Sequence, residues 1–345
     1  MSDFVDDKLW LNSYLKELNY YDNYLKDKEI ISIFFGGGTP SLADPAVIGG
    51  VIEAIAKRYS LSSDAEITME ANPTSVEASK FKSVASLGVN RLSLGVQSLR
   101  QHNLEFLGRE HSAHQAKLAI ELARANFSKY SFDLIYALPN QTLDEWSKEL
   151  DEALALANGH LSLYQLTIEK GTKFFKAHQK NEFIMPTDEL AADMYLLTED
   201  KTNSCGYSSY EVSNYAKPGF ESIHNMQYWN YGDYVGIGPG AHGRISENQL
   251  RYATQNISNP NDWLRRVEDR DNGLQRNEVL SVQNIHSERI IMGLRTNHGI
   301  ALDSEINAIK LQQLLDSGLL FISNNRIIAT TQGRLLLNSV ISNLI

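Results

Sequence analysis

The strongest constraint on this chain is a regular alternation of short apolar runs with amphipathic stretches over its first 166 residues. IISIFF at 30–35, EITMEA at 66–71, RLSLG at 91–95, SFDLIYALP at 131–139 and LSLYQL at 161–166 have the length and side chains of strands. They begin 25 to 40 residues apart, and each interval holds a helical segment, at 46–59, 75–88, 111–126 and 142–156. The last opens with Thr142 and Glu145 spaced as a capping box. Before the first strand, Trp10, Leu11, Tyr14, Leu15, Leu18 and Leu25 recur at helical spacing through the opening twenty-five residues. The alternation predicts βαβ units and an α/β fold with a parallel sheet. Ligands of such sheets gather at the carboxyl ends of the strands. Those ends are Gly36–Pro40, Glu70-Ala71-Asn72-Pro73, Gly95-Val96-Gln97 and Asp133–Pro139. One such cluster is ordinary turn punctuation. Four in succession point to a site.

Beyond residue 175 the pattern changes. TDELAADMYLLTEDKTNSCG reads as a helix, aromatic-rich sequence runs from Tyr207 to Tyr234, and GIGPGAHG follows. Residues 248–277, polar and rich in Asn, Asp and Arg, read as a linker. From Ser287 the order is helix, helix, two short strands around Asn324-Asn325, then a closing helix, as in a small winged-helix domain. The expected division is a barrel-like unit at 1–175, an extension at 176–247, the linker, and a C-terminal unit at 278–345.

Charge and cysteine content remove several function classes. Acidic residues outnumber basic ones 42 to 32, a net charge of -10, which argues against a nucleic-acid binder needing a basic face. No apolar run approaches the ~20 residues that span a bilayer, and MSDFVDDKLW lacks the order of a signal peptide, so the expected setting is cytoplasmic. Cys205 is the only cysteine, so the chain forms no internal disulfide and no thiolate-held cluster or zinc site. Cys205 is expected to be a small buried residue, and Met69 and Met194 to lie in the core.

Three glycines before Thr39-Pro40 let backbone N–H groups approach a ligand acceptor such as a carboxylate. No Lys-Ser/Thr follows them and the spacing is not GxGxxG, so a nucleotide diphosphate is not indicated. Glu70 could pair with an ammonium group, Gln97 and Asp133 could hydrogen-bond ribose hydroxyls, and Arg109 could pair with a carboxylate. An amino acid joined to a nucleoside satisfies the whole set. Each residue alone reads as well as a cap or a surface ion pair.

GGGTP, MEANP, NRLSLGVQS, LGREH and DLIYALPNQT, in that order, closely resemble the radical-SAM family of coproporphyrinogen oxidases and their relatives. YEVSNYAKPG and HNMQYWNYGDYVGIGPGAH narrow the resemblance to the heme chaperone-like branch called HemW. It runs from about residue 10 to the end. The resemblance implies a partial parallel (β/α) barrel followed by the winged-helix-like unit. It implies that Gly37, Gly38 and Thr39 hold the amino-acid part of S-adenosylmethionine, with Glu70, Gln97, Arg109 and Asp133 completing that region. It also implies heme as a second ligand, with His224 of the HNxxYW segment a possible iron ligand and delivery to membrane-bound respiratory enzymes as the role. By the residues alone, His224 reads as a packed histidine; His242 in GAHG is a second candidate ligand, and its glycine setting could equally mark a tight turn. A coproporphyrinogen III oxidase-like enzyme and an inactive truncated homologue are the alternative readings.

The family carries a CxxxCxxC-type motif after its first strand, whose thiolates hold a [4Fe–4S] cluster. Here both motif and strand are missing, so five barrel strands are expected instead of six, with IISIFF as an open sheet edge. Either the gene starts upstream of Met1 or it encodes a truncated protein without the catalysis that needs the cluster. The chain as given should show no stoichiometric [4Fe–4S] absorbance or EPR signal after incubation with iron and sulfide. A stable cluster at one per chain would overturn the thiol argument.

Overall fold

A computed structural model describes residues 6–303 and 305–345. The first five residues of the expected opening helix lie outside the described ones. That helix is α1 (Asp7–Tyr20), followed by one turn, α2 (Asp22–Leu25). The alternation then appears as β1 (Glu29–Phe35), α3 (Pro45–Arg58), β2 (Ser60–Ala71), α4 (Ser75–Ala78), α5 (Phe81–Ser86), β3 (Arg91–Gln97), α6 (Gln101–Phe106), α7 (Ala113–Asn126), β4 (Lys129–Tyr136), α8 (Leu143–Leu156) and β5 (His160–Gln165). Strands β1 to β5 pair in sequence order, all parallel, as the βαβ pattern requires. The sheet curls into a half-barrel. After α9 (Lys173–Gln179) and α10 (Asp188–Ser204), two short strands extend it: β7 (Asn214–Ala216), antiparallel to β5, and outside it β6 (Ser208–Ser209), antiparallel to β7. The Thr142–Glu145 capping box forms as expected.

Within the strands the side chains alternate strictly. Ile67, Met69, Leu92, Leu94, Phe132, Leu134, Leu161 and Leu163 face the outer helices and make the core, together with Ile48, Phe81, Ile120, Trp146 and Leu150. Their sequence neighbours Glu66, Thr68, Glu70, Arg91, Ser93, Gln97, Ser131, Asp133, His160 and Ser162 take the concave face. A parallel sheet buried on both sides would carry continuous apolar runs. Here one face is charged and hydroxylated, so the interior of the half-barrel is built for polar contacts rather than filled by core. Met69 and Met194 are fully buried, as expected. Cys205 is exposed, contrary to expectation. The buried stripe of α10 is Met194, Tyr195, Thr198 and Thr202, and Cys205 lies past the last helical residue, in the turn made by Gly206 at φ +79°.

Residues 248–277 are not a linker. After α11 (Ile223–Trp229), β8 (His242–Glu247), β9 (Leu250–Asn256) and β10 (Leu274–Val279) form a three-stranded antiparallel sheet, with α12 (Pro260–Arg270) between the last two. The segment is polar because β10 exposes all but its first residue, β9 is mostly only half-buried, and α12 buries only Trp263 and Val267. Trp263 stacks on Trp10 of α1 at 5.6 Å between ring centres and is fully buried. Beside it Glu17 of α1, also fully buried, accepts hydrogen bonds from the Gly238 and Gly273 amides (both 2.7 Å), Asn256 Nδ2 (2.9 Å) and Trp263 Nε1 (3.2 Å). One carboxylate thus fixes the GIGPG loop and this sheet to the N-terminal helix.

The C-terminal unit has the expected order: α13 (Val282–Gly293), β11 (Ile300–Ala301), α14 (Ala308–Asp316), the hairpin β12 (Leu320–Ser323) and β13 (Arg326–Ala329), then α15 (Thr331–Leu335) and α16 (Leu337–Leu344). Asn324 and Asn325 make the hairpin turn with φ of 48° and 59°, the left-handed pair that a tight hairpin needs. Ile290, Leu294, Leu314, Ile327 and Val340 give the unit its own core.

Glu17→Ala would strand four buried donors at once. It should lower the unfolding free energy by about 3–5 kcal/mol, the range for breaking a buried charged network, while Glu17→Gln, which keeps an acceptor, should cost clearly less. Urea unfolding of both variants measures the difference.

Candidate functional site

The carboxyl ends of β1 to β4 enclose a polar cleft of about 180 Å³, lined by Gly38, Thr39, Glu70, Asn72, Gln97 and Asp133, with Ser93 and Gly95 at its base. That is below the ~300 Å³ at which whole small-molecule sites begin, so it suits one end of a ligand rather than all of it. Gly37 and Gly38 adopt φ of +76° and +46°, which only glycine takes without strain, and a Cβ at either would point into open space. The loop therefore offers bare backbone to the cleft. The Gly37 amide donates to Glu70 Oε2 at 3.1 Å, which fixes the carboxylate across the β1–β2 ends.

Gln97 and Asp133 meet directly, Gln97 Nε2 donating to Asp133 Oδ2 at 2.7 Å. Burial pushes the Asp133 carboxyl up to about 6, against the pull of the Gln97 amide and the Arg109 charge, with Glu70 adding to the rise. Gln97 itself sits at φ 69°, a strained conformation for a residue with a Cβ. Arg109 does not line the cleft. It is exposed in the turn beyond α6, near enough for its charge to act on Asp133. Of the seven residues expected in this region, Gly38, Thr39, Glu70, Gln97 and Asp133 come together, Gly37 is bonded to one of them, and Arg109 stands apart at the rim.

Asn72 and Gly95 belong to the strand-end clusters already read from the sequence, whereas Ser93, Glu77 and Glu149 gave no sequence signal of their own. Asn72, Ser93 and Gly95 line the cleft. Glu77, buried on α4, accepts from the Asn72 amide at 2.7 Å and from the Ser41 hydroxyl, tying the loop after the glycines to the end of β2. Glu149, buried on α8, accepts from Ser98 Oγ and the Leu99 amide, both at 2.6 Å, and so holds the strained turn after Gln97. The one available clue was an acidic residue inside an otherwise apolar helix face.

His224 lies on α11, against β1. Its ring stacks on Phe34 of β1 at 4.5 Å and 13°, Nδ1 lies 3.1 Å from Ser32 Oγ, and Nε2 lies 3.0 Å from Tyr228 Oη. Its backbone N–H donates to Glu66 Oε1, which also accepts from Ser222 Oγ. Burial pushes the imidazole down to about 4, so it is neutral at physiological pH. The HNxxYW segment, which the sequence division places in the extension at 176–247, meets the barrel directly: α11 packs on β1, which among the described residues has one strand neighbour, β2. His242 begins β8 rather than a turn and is exposed.

The chemistry of the donor set fits the amino-acid and ribose parts of S-adenosylmethionine: bare amides, a carboxylate beside them, and an amide–carboxyl pair. It does not fit a [4Fe–4S] cluster, because the one thiol, Cys205, is exposed at the end of α10 and does not line the cleft. A heme iron fits His224 only if Nε2 or Nδ1 gives up its hydroxyl partner, the neutral ring being the form that ligates metals.

Comparison with known proteins agrees with this geometry. The family model described as the radical SAM superfamily matches residues 13–153. The chain is 38% identical over 331 residues to "Radical S-adenosyl methionine domain-containing protein 1, mitochondrial" of Danio rerio, covering 90% of this chain and 74% of the relative. It is 42% identical over 233 residues to "Heme chaperone HemW" of Escherichia coli (strain K12), covering 66% of this chain and 61% of the relative. The solved structure of coproporphyrinogen III oxidase (HemN) from Escherichia coli superposes with a TM-score of 0.81 over 100% of this chain and 84% of that one, at 21% identity, which shows the shared fold. The chain belongs to the radical SAM superfamily. Its similarity is to the group of heme chaperone HemW and radical S-adenosyl methionine domain-containing protein 1.

A carboxyl raised by burial stays protonated in the fold at a pH where the unfolded chain has ionised it. Asp133 therefore costs stability as pH rises from about 4 through about 6, and the full cost stands above that. Asp133→Asn keeps the Gln97 bond and removes the charge. It should stabilise the protein at pH 7.5 by on the order of 1–2 kcal/mol, less than 1.4 kcal/mol per pH unit would give because the side chain meets the cleft. The gain should vanish at pH 4. Denaturant unfolding at both pH values tests the sign.

Proposed function

We propose that this chain is a HemW-like heme-binding protein that takes S-adenosylmethionine at the cleft and hands heme on to membrane-bound respiratory enzymes, with the cytoplasm as its setting. The observation that carries the cofactor half is the joining of Gly38, Thr39, Glu70, Gln97 and Asp133 around one polar cleft at the strand ends. Gly37 to Thr39 would present backbone amides to the ligand carboxylate, Glu70 would receive its ammonium, and the Gln97–Asp133 pair would hold the ribose hydroxyls. Arg109 would close on the ligand from the rim, since only its charge reaches the cleft now. A bound S-adenosylmethionine supplies a sulfonium; no residue of this chain supplies the reduced cluster that would cleave it, so the cleft acts by binding.

The heme half rests on similarity to proteins named heme chaperone HemW at 31–42% identity and on one chemical feature, a neutral histidine held by two hydroxyl groups. Release of the Tyr228 hydroxyl would free Nε2 to take the iron, while Ser32 keeps Nδ1 and the ring orientation, as an outer partner does for a metal-bound imidazole. Phe34 beneath the ring limits its tilt. His224→Ala should remove or shift the Soret band of the heme complex and weaken binding at least tenfold, and His242→Ala should change neither. Identical spectra and affinities for wild type and His224→Ala in a heme titration would refute the ligand assignment.

A further inference from the structure

A second and larger cavity, about 950 Å³, opens on the same rim as the polar cleft. It lies between α6, the turn after β4 and α9. Its size is at the upper end of the ~300–1,000 Å³ typical of small-molecule sites. None of the functional residues discussed above lines it. Its walls are apolar and aromatic: Phe106, Leu107, Leu138, Phe174 and Phe183. The three phenylalanines form a cluster, Phe106 lying 5.3 Å from both Phe174 and Phe183 between ring centres. No residue of α9 is buried, so Phe174, one of the three rings, is held by a helix without a core of its own.

The polar groups at this cavity are distinctive. The protein carries a net charge of -10, yet the segment from Lys170 to Lys180 holds five lysines and histidines, Lys170, Lys173, Lys176, His178 and Lys180, and no acid. Lys173 lines the cavity and is exposed, as is His102 of α6 on the opposite side. Gln141, also lining it and 6% exposed, has a side-chain nitrogen with no hydrogen-bond partner among the described residues. Two acids, Glu145 and Glu182, complete the rim, and Glu145 is already committed to the Thr142 cap. An aromatic cluster at the mouth of a cavity favours an apolar ligand with ring surface of its own. A basic helix on an acidic protein favours one that carries anions.

We infer that this α6–α9 cavity is a seat for a porphyrin-class macrocycle, its edge or face against the Phe106–Phe174–Phe183 cluster and a carboxylate on Lys173. The naming of the macrocycle rests on the function proposed above; the cavity and its charge stand on the geometry. The seat is separate from His224, and its contacts are to rings and carboxylates, so it does not need iron.

The probe is therefore metal-free protoporphyrin IX, followed by fluorescence with the full chain. Wild type and His224→Ala should bind it with equal affinity. Phe174→Asp, at a half-exposed position, should abolish binding, and Ala177→Trp, which fills the cavity without changing charge, should do the same. Lys173→Glu should weaken it about tenfold, and the dimethyl ester of the probe should bind wild type about tenfold more weakly than the diacid, a loss equivalent to ~1.4 kcal/mol. Circular dichroism and melting of each variant identify those that remain folded. No binding of the metal-free probe, or unchanged binding to folded Phe174→Asp and Ala177→Trp, overturns the inference. Heme binding by a protein that ignores the metal-free ring would leave the proposed function standing and remove this site. Tight binding of the ring with no heme spectrum dependent on His224 would remove the iron ligand and keep the cavity.

Discussion

The half-barrel depends on a charge pair at the amino-terminal ends of its strands. Glu66 of β2 and Arg91 of β3 are each 2% exposed, with Arg91 Nη1 3.4 Å from Glu66 Oε2. Two isolated charges in such a place would be strongly unfavourable, and a pair alone is often no better than two apolar residues. What compensates here is the set of further bonds. Arg91 donates to the Phe220 carbonyl, and Glu66 accepts from Ser222 and the His224 amide. The pair thus draws residues 220–224 across the concave face, starts α11 there and seats His224 on Phe34. Without it the polar interior would have no floor. The histidine proposed to take iron is placed by the same electrostatics that close the half-barrel.

Buried carboxylates do the same work elsewhere. Glu17, Glu77 and Glu149 each sit on a helix, each accepts several hydrogen bonds from a loop, and each is almost wholly buried. A loop carries backbone amides that neither helix nor sheet can satisfy. An ionised acceptor gathers two or three of them more strongly than a neutral one does. Glycine-rich GGGTP and GIGPG, flexible by composition, are held by this means.

How much of this was legible in the sequence follows from the same distinction. Strand and helix positions in the first half were readable because apolar spacing reports the outer, helix-covered face of the sheet. The site residues were readable as clusters at strand ends, and the family resemblance ranked them. Lys129, Ser131 and Asp133 alternate with Tyr130, Phe132 and Leu134 and so mark one polar face, a signal the sequence reading missed. That alternation could have been read from the letters. The β9–α12–β10 unit was not readable as structure, because its stability comes from Trp263 meeting Trp10 and Glu17, contacts separated by about 250 residues. Local composition there resembles a linker since the elements bury so little. Arg109 was readable as a charge but not as a rim residue, because exposure depends on where the turn after α6 ends.

The two ends of the strands also differ in backbone strain, and that difference argues for where chemistry is placed. At the carboxyl rim, Gln97, Ala137 and Asn140 hold φ of 69°, 57° and 61°, and glycines occupy Gly37, Gly38 and Gly108. For Gln97 and Ala137 this conformation is unfavourable, at ~1–3 kcal/mol each. At the amino-terminal ends the positive φ values before β3 and β5 fall on Gly88 and Gly159, where no such strain arises. Gln97 is kept in place by its bond to Asp133 and by Glu149 holding the next two residues. Ala137 leads straight into Leu138 and Gln141, which line the larger cavity. The strained turns therefore border both the polar cleft and the aromatic one, and each aims a side chain that a relaxed turn would direct elsewhere. A rim shaped at such cost, where the amino-terminal ends are not, marks the carboxyl end as the working face of the half-barrel, with His224 packed on Phe34 beside it.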